Sequence, residues 1–373
     1  MAELGESEWD SWMVESLRRY NDLHVFELQD PTRVIEWIQD RSVCVAGYSA
    51  KQRNEIQELS LPQTLSAKEN QGLCPDRDFR VERGEFSQRP VYQLKYVAGT
   101  SLLVSSGPPD ASLQVWRLAT NETDTISLLT TLLFSVTGNV WSRISVACSP
   151  TPRVLHGSRI SDLAVRDIVT QSVLFTGAGV EEHEPISELE FLDNSTFLVC
   201  CMNGQLWLAD TRQRPSLIGR SSLPTNNSSD SHWTMGLGPG FSVVGRLSSD
   251  GVVVVSDPRD LSKSLARAEL ATSKPQANSS HLCLNWAPRL QQHLAVSGFD
   301  GTVHVYDSST WTPSLRRVEP TFVHRGHCVG LEPCQDLPLV TTHTWHPWKQ
   351  RMLLSAAGDG SLHVWDWVGN NRA

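Results

Sequence analysis

Residue types that could do chemistry crowd one stretch: His324, His327, Cys328, Cys334, His343 and His346. These are zinc-ligand types, and the spacing HxxH occurs twice. The spacing matches no standard zinc module. On an extended strand His343 and His346, three positions apart, point to opposite faces. Structural histidines and ordinary thiols explain the set more simply. Asp359, His327 and Ser355 supply the groups of a hydrolytic triad, but no GxSxG elbow presents a nucleophile. Cys200 and Cys201 alternate across a strand, one inward and one outward, and need no redox role. Gly236-Leu237-Gly238-Pro239-Gly240 contains Pro and opens no helix, so it is not a phosphate loop. No carboxylate pair has a local context that would perturb its pKa. The expectation is a protein with no catalytic, cofactor-binding or metal-binding set.

The elements that carry these residues are short strands. Leu339 to Trp367 reads LVTTHTWHPWKQRMLLSAAGDGSLHVWDW. Three apolar runs are separated by a polar turn and by Asp359-Gly360, which predicts three strands and two hairpins, the second through a type I′ turn. The outline recurs upstream, in HLCLNWAPRLQQHLAVSGFDGTVHVYD (Leu282 to Asp307, preceded by His281), in FSVVGRLSSDGVVVVSD (Phe241 to Asp257) and in FLVCCMNGQLWLAD (Phe197 to Asp210). A repeat of this kind overrides most local readings.

On the closing Trp365-Asp366, on Gly326-His327 and on this recurrence, the chain resembles the WD-repeat family. The resemblance implies an all-β fold, a β-propeller of four-stranded blades around a central channel. It also implies a buried network of Asp359, His327, Ser355 and Trp365 in the last blade. There the carboxylate would fix the imidazole tautomer, and ring and hydroxyl would satisfy the indole N–H. His327 is followed by an insertion, Cys328 to Pro338, that departs from the family pattern. The preceding blade keeps Ser297 and Asp300 but has Tyr306 for Trp and no Gly-His. EWIQDRSVCVAGY, RVLHGSRISDLAVRD and WMVESLRRYNDLHVFELQ extend the resemblance to one branch of the family over essentially the whole chain. That branch implies a cytoplasmic, non-enzymatic factor that binds and helps assemble the RNA endonuclease module of the Integrator complex. It further implies association with microtubules and the spindle, at spindle poles and the cleavage furrow.

Counting strands gives seven blades. The first runs from Arg33 to Phe86, the second from Tyr92 to Leu132, the third from Arg143 to Thr176. The rest begin near Ile186, Trp233, His281 and Leu339. After Trp367 too little chain remains for a fourth strand in the last blade. Leu23 to Gln29 is expected to supply it, which removes the open edge between first and last blades. Residues 1–22 are expected to form a helix on the propeller rim and residues 23–373 the single propeller. Trp9, Trp12, Met13 and Leu17 fall on one helical face. Arg220 to Ser231 and Thr272 to Ser280 read as disordered loops. Trp9, Trp12, Leu17 and the loop residues Trp311 and Trp348 are candidate partner contacts, because aromatic anchors carry interface energy.

Composition agrees with a soluble globular protein in a reducing compartment. The chain has 373 residues, 20% charged and 39% hydrophobic, with net charge −9. That balance advertises no nucleic-acid surface. No apolar run approaches the ~18 residues of a membrane span, and the acidic N-terminus lacks a signal core. Eight cysteines without a CxxC pair suggest free thiols. A monomer outside its complex is expected. Two further classes stay open. A hydrolase in the central channel would need convergent polar groups with perturbed pKa values there. A cytoskeletal adaptor would need a local basic patch such as Arg316-Arg317 or Lys349-Arg351.

Overall fold

A computed structural model describes residues 11–12, 14–50, 53–62, 78–118, 125–134, 140–148, 150–177, 184–213, 217–221, 231–272, 279–328 and 338–369. The repeats become seven antiparallel sheets arranged as the blades of a β-propeller. Strands of blade one span Thr32–Gln39, Ser42–Gly47, Asn54–Ser60 and Arg80–Ser87. Inner strands of the other blades are Gln93–Val97, Arg143–Ala147, Ile186–Phe191, Trp233–Leu237, Cys283–Trp286 and Val340–Trp345. Cys334, most of the 220–231 stretch and most of 272–280 lie outside the described residues.

The second strand of each blade explains why the repeat reads as apolar runs. Blades pack face to face, so both faces of a central strand are buried and strict alternation is lost. Ser42–Gly47 and Met352–Ala357 are buried at every position. The core is divided accordingly. Seven apolar clusters occupy the seven seams between neighbouring blades. Cys200 and Cys201 sit on opposite faces of one strand and serve two different seams. The six described cysteines are free thiols.

Tryptophans at the ends of inner strands lock seams by hydrogen bonds. Trp286 Nε1 donates to Gly236 O at 3.1 Å, and Trp345 Nε1 donates to Asn285 O at 3.0 Å. Each indole thereby bridges to the inner strand of the preceding blade.

The N-terminal segment closes the ring. Tyr20–Glu27 pairs antiparallel with Ser361–Trp367, from Tyr20 opposite Trp367 to Glu27 opposite Ser361. Leu28 N–H donates to Gly360 O and Val368 N–H to Arg19 O, both at 2.8 Å, which extends the ladder at each end. The strand starts three residues before Leu23, so a boundary after residue 22 falls inside it. Tyr20 drives this, since its ring is buried against Phe322 and Trp365.

Ahead of the strand, residues 11, 12 and 14–19 are helical. The expected apolar contact face is only partly realised. Trp12 is half-buried but Leu17 is 82% exposed, while Trp9 and Met13 lie outside the described residues. Arg19 makes the anchor instead, with its guanidinium 5.0 Å from the Phe322 ring and Nη2 donating to Val323 O.

Two local expectations are corrected. The Asp359 turn is not type I′, because Gly360 alone has positive φ (93°). Gly360 N–H bonds to Ala357 O, and Asp359 Oδ1 accepts from Ser361 N, a type I turn ended by a left-handed glycine. Blade five also has an extra strand. Arg316–Val318, from the outer connection of blade six, pairs parallel with Asp260–Leu270.

Candidate functional site

The blade-seven network is a single directed chain of hydrogen bonds. Trp365 Nε1 donates to Ser355 Oγ at 3.1 Å. Ser355 Oγ lies 2.8 Å from His327 Nε2, and His327 Nδ1 lies 2.7 Å from Ser361 Oγ. Ser361 Oγ donates to Asp359 Oδ1 at 2.7 Å. The carboxylate can only accept, so the Ser361 proton points to it and Ser361 Oγ accepts from His327 Nδ1–H. Nε2 is then the acceptor for Ser355. Asp359 thus fixes the tautomer through Ser361 rather than by touching the imidazole. Burial holds His327 well below its ordinary pKa, which keeps the ring neutral as this chain requires. Ser355 is fully buried and has no space beside it for a substrate, so the Asp-His-Ser set is a structural network.

Gly-His is required by packing as well as by hydrogen bonding. A Cβ on Gly326 would lie 2.7 Å from His324 Cε1 and 2.8 Å from His363 Nδ1. His324 and His363 bond to each other at 3.1 Å, and His324 Nδ1 meets Tyr20 OH at 2.8 Å. The closing strand is therefore tied to this cluster by a side chain as well as by its ladder.

Of the zinc-type residues, the fold brings together His324 and His327 with His363, a partner not named from the sequence. The three do not form a good metal site. His327 and His363 are stacked, ring centres 3.8 Å apart and planes 14° from parallel. Their lone pairs lie in near-parallel planes and do not converge on one ion. His343 and His346 are elsewhere. His343 Nδ1 contacts Ser297 Oγ at 2.7 Å, so blade seven lends blade six the histidine it lacks. His346 Nδ1 accepts from Trp348 N and Lys349 N, and its ring packs on Trp37. Cys328 donates to Gly301 O.

The central channel holds a cavity of about 510 Å³ lined by the inner strands of all seven blades. It is more charged than local sequence suggested. Burial raises Glu36 and Glu188 above the usual carboxylate range. Lys95 is raised by Glu190, its ion-pair partner at 3.9 Å. Burial lowers Arg33, and brings Arg143 down to about 10. Gln93 donates to Glu188 at 3.0 Å and Ser145 to Glu190 at 2.7 Å. Convergent polar groups with shifted pKa values are thus present. An activated nucleophile is not among the described residues. The lining thiol, Cys283, is pushed up to about 12 by burial and meets the His343 carbonyl, not its ring.

Comparison with known proteins places this ring. The chain is 44% identical to a protein named Integrator complex assembly factor WDR73 from Xenopus laevis, over 95% of this chain and 97% of the relative. Against the Homo sapiens protein of that name identity is 44%, over 96% of this chain and 97% of the relative. The Danio rerio protein is 41% identical, over 98% of both. The chain belongs to the WDR73 family. No family model matches it.

For this WDR73-family chain the named contact residues divide clearly. Trp311 packs against the seam of blades five and six, edge-on to Tyr306, so its place is explained by the core. Trp348 is 56% exposed in a turn at the end of the channel away from Arg33. Its Nε1 donates to Asp40 of blade one, and Arg289 lies over its ring at 4.7 Å. A rigidly held, exposed indole is a suitable interface anchor.

Proposed function

We propose that this protein is a non-catalytic interaction scaffold that binds and helps assemble or stabilise the RNA endonuclease module of the Integrator complex. It acts in the cytoplasm and, in mitosis, at spindle poles and the cleavage furrow. The observation that carries the reading is likeness over essentially full length to relatives named as Integrator complex assembly factors. The seven-bladed ring supports it, since its two end faces and its perimeter can hold more than one partner. The inert thiol in the channel supports the non-catalytic part.

Mass spectrometry of proteins retained by the tagged full chain tests the proposal. Integrator endonuclease subunits recovered at near-equal amounts are expected. Tubulin or spindle proteins alone would replace the reading with a cytoskeletal adaptor, and retention of neither class would remove both.

A further inference from the structure

One end of the channel carries two arginines from different blades, Arg33 of blade one and Arg143 of blade three. Arg33 lies over the Tyr92 ring, its guanidinium carbon 4.1 Å from the ring centre. Arg143 lies over Trp141 at 3.8 Å. Stacking occupies the flat face of a guanidinium and leaves its N–H fork free to act in the plane. Each fork makes a bond to a backbone carbonyl. Arg33 Nη2 donates to Ser280 O at 2.8 Å, and Arg143 Nε to Ile186 O at 3.3 Å. None of the ion pairs among the described residues includes either arginine. Two partly desolvated cations near one another are costly unless an anion joins them.

We propose that this mouth is an oxyanion site that takes the carboxylate of an Asp or Glu side chain on a partner protein's segment, bridged between Arg33 and Arg143. Charge favours a carboxylate over a phosphate group. Two guanidiniums face one acidic side chain, Glu188, whose field reaches both. A second carboxylate matches the guanidiniums one for one. A phosphate dianion would bring more negative charge beside Glu188. His281, brought down to about 4 mainly by burial, adds no positive charge at neutral pH.

The rim suits a peptide. Tyr48, Tyr92, Trp141 and His281 form an aromatic arc, with Tyr92 5.2 Å from Trp141 and Tyr48 5.9 Å from His281. Such rings give apolar walls to a passing chain while the guanidiniums read the charged group. The site deepens the scaffold reading and rests on it.

Fluorescence anisotropy on the full chain tests the site, with labelled N-acetyl hexaglutamate amide as probe and hexaglutamine as its neutral match. Hexaglutamate should bind at least about tenfold tighter than hexaglutamine, since each charge-assisted bond exceeds a neutral one. Arg33→Gln with Arg143→Gln should lose at least that factor. Arg33→Lys with Arg143→Lys keeps the charge but not the fork, and should lose several-fold while melting like the parent protein. The lysine variant therefore serves if the glutamine variant fails to fold. Equal binding of the two peptides, or undiminished hexaglutamate binding by a folded variant, would overturn the site. Tighter binding of a phosphoserine peptide than of its glutamate counterpart would overturn the carboxylate assignment. The assembly reading fails separately, when the wild-type chain retains no Integrator subunits yet still binds hexaglutamate.

Discussion

Replacing Ser355 by Ala tests the directed network most sharply. One hydroxyl is lost, and the methyl that takes its place leaves almost no cavity. Two polar groups are stranded, the Trp365 indole N–H and His327 Nε2. Trp365 and Ser355 are fully buried and His327 is 3% exposed, so no water replaces the bond. A buried donor or acceptor left unpaired costs about 1–3 kcal/mol, which for two groups predicts a loss of about 2–6 kcal/mol. Equilibrium urea denaturation of the parent and the variant measures it. A double-mutant cycle with Trp365→Phe isolates the cause. Removing the indole N–H should make the serine substitution cheaper, with a coupling of about 0.5–3 kcal/mol. A loss below about 0.5 kcal/mol for Ser355→Ala, or no coupling, would refute the chain of donors from Trp365 to Asp359.

The other expectations follow from the same seams. His156, His324, His327, His343 and His363 are buried, and their folded pKa values are lowered, to about 3 for His156 and about 4 for His343 and His363. Depressed histidines leave stability intact above their unfolded pKa of about 6.5 and remove it as pH falls from there toward 4, by up to about 1.4 kcal/mol per pH unit for each; a urea midpoint unchanged between pH 7.5 and 5 would contradict this. Deleting residues 1–30 should lower the melting temperature of the whole fold, and a truncated chain that melts like the parent would show that ring closure is dispensable. Gly326→Ala forces a Cβ against two packed histidine rings and should cost about 1–3 kcal/mol in denaturant unfolding, with an unchanged midpoint counting against the packing argument. Trp348→Ala should move stability by less than about 1 kcal/mol, yet reduce partner retention in pull-downs, and full retention would exclude it as an anchor.

Strand placement was legible because each blade repeats one local code, an apolar run, a turn Asp or Asn with Gly, and a second run. The inner strand of blade one is a case in point, expected from Arg33 and found from Thr32. What escaped the sequence depends on neighbours distant in the chain. Ser361 stands next to the turn glycine and looks like a turn residue, but the fold places it between His327 and Asp359. His343 was readable only as a strand histidine, because its partner Ser297 belongs to another blade. The channel charges were missed for the same reason. Glu188 and Glu190 sit in an unremarkable alternating strand, while Lys95 and Arg143 come from blades two and three. Only closure of the ring removes water from all of them. Arg316–Val318 was missed because its partner strand lies in the previous blade and runs parallel.

The pairing of Tyr20–Glu27 with Ser361–Trp367 also sets an order of events on the ribosome. Asn21 bonds to the carbonyl of Trp367, 346 residues further along. At roughly 5–20 residues per second, the closing strand leaves the exit tunnel roughly 20–70 seconds before its partner. Throughout that interval the nascent chain has an unpaired strand at its front, and the seam between blades seven and one stays open. Six seams can form as their blades emerge, but the seventh waits until Ser361–Trp367 has left the tunnel. The closing strand is therefore made long before it is secured, and the growing chain offers chaperones a target throughout that interval.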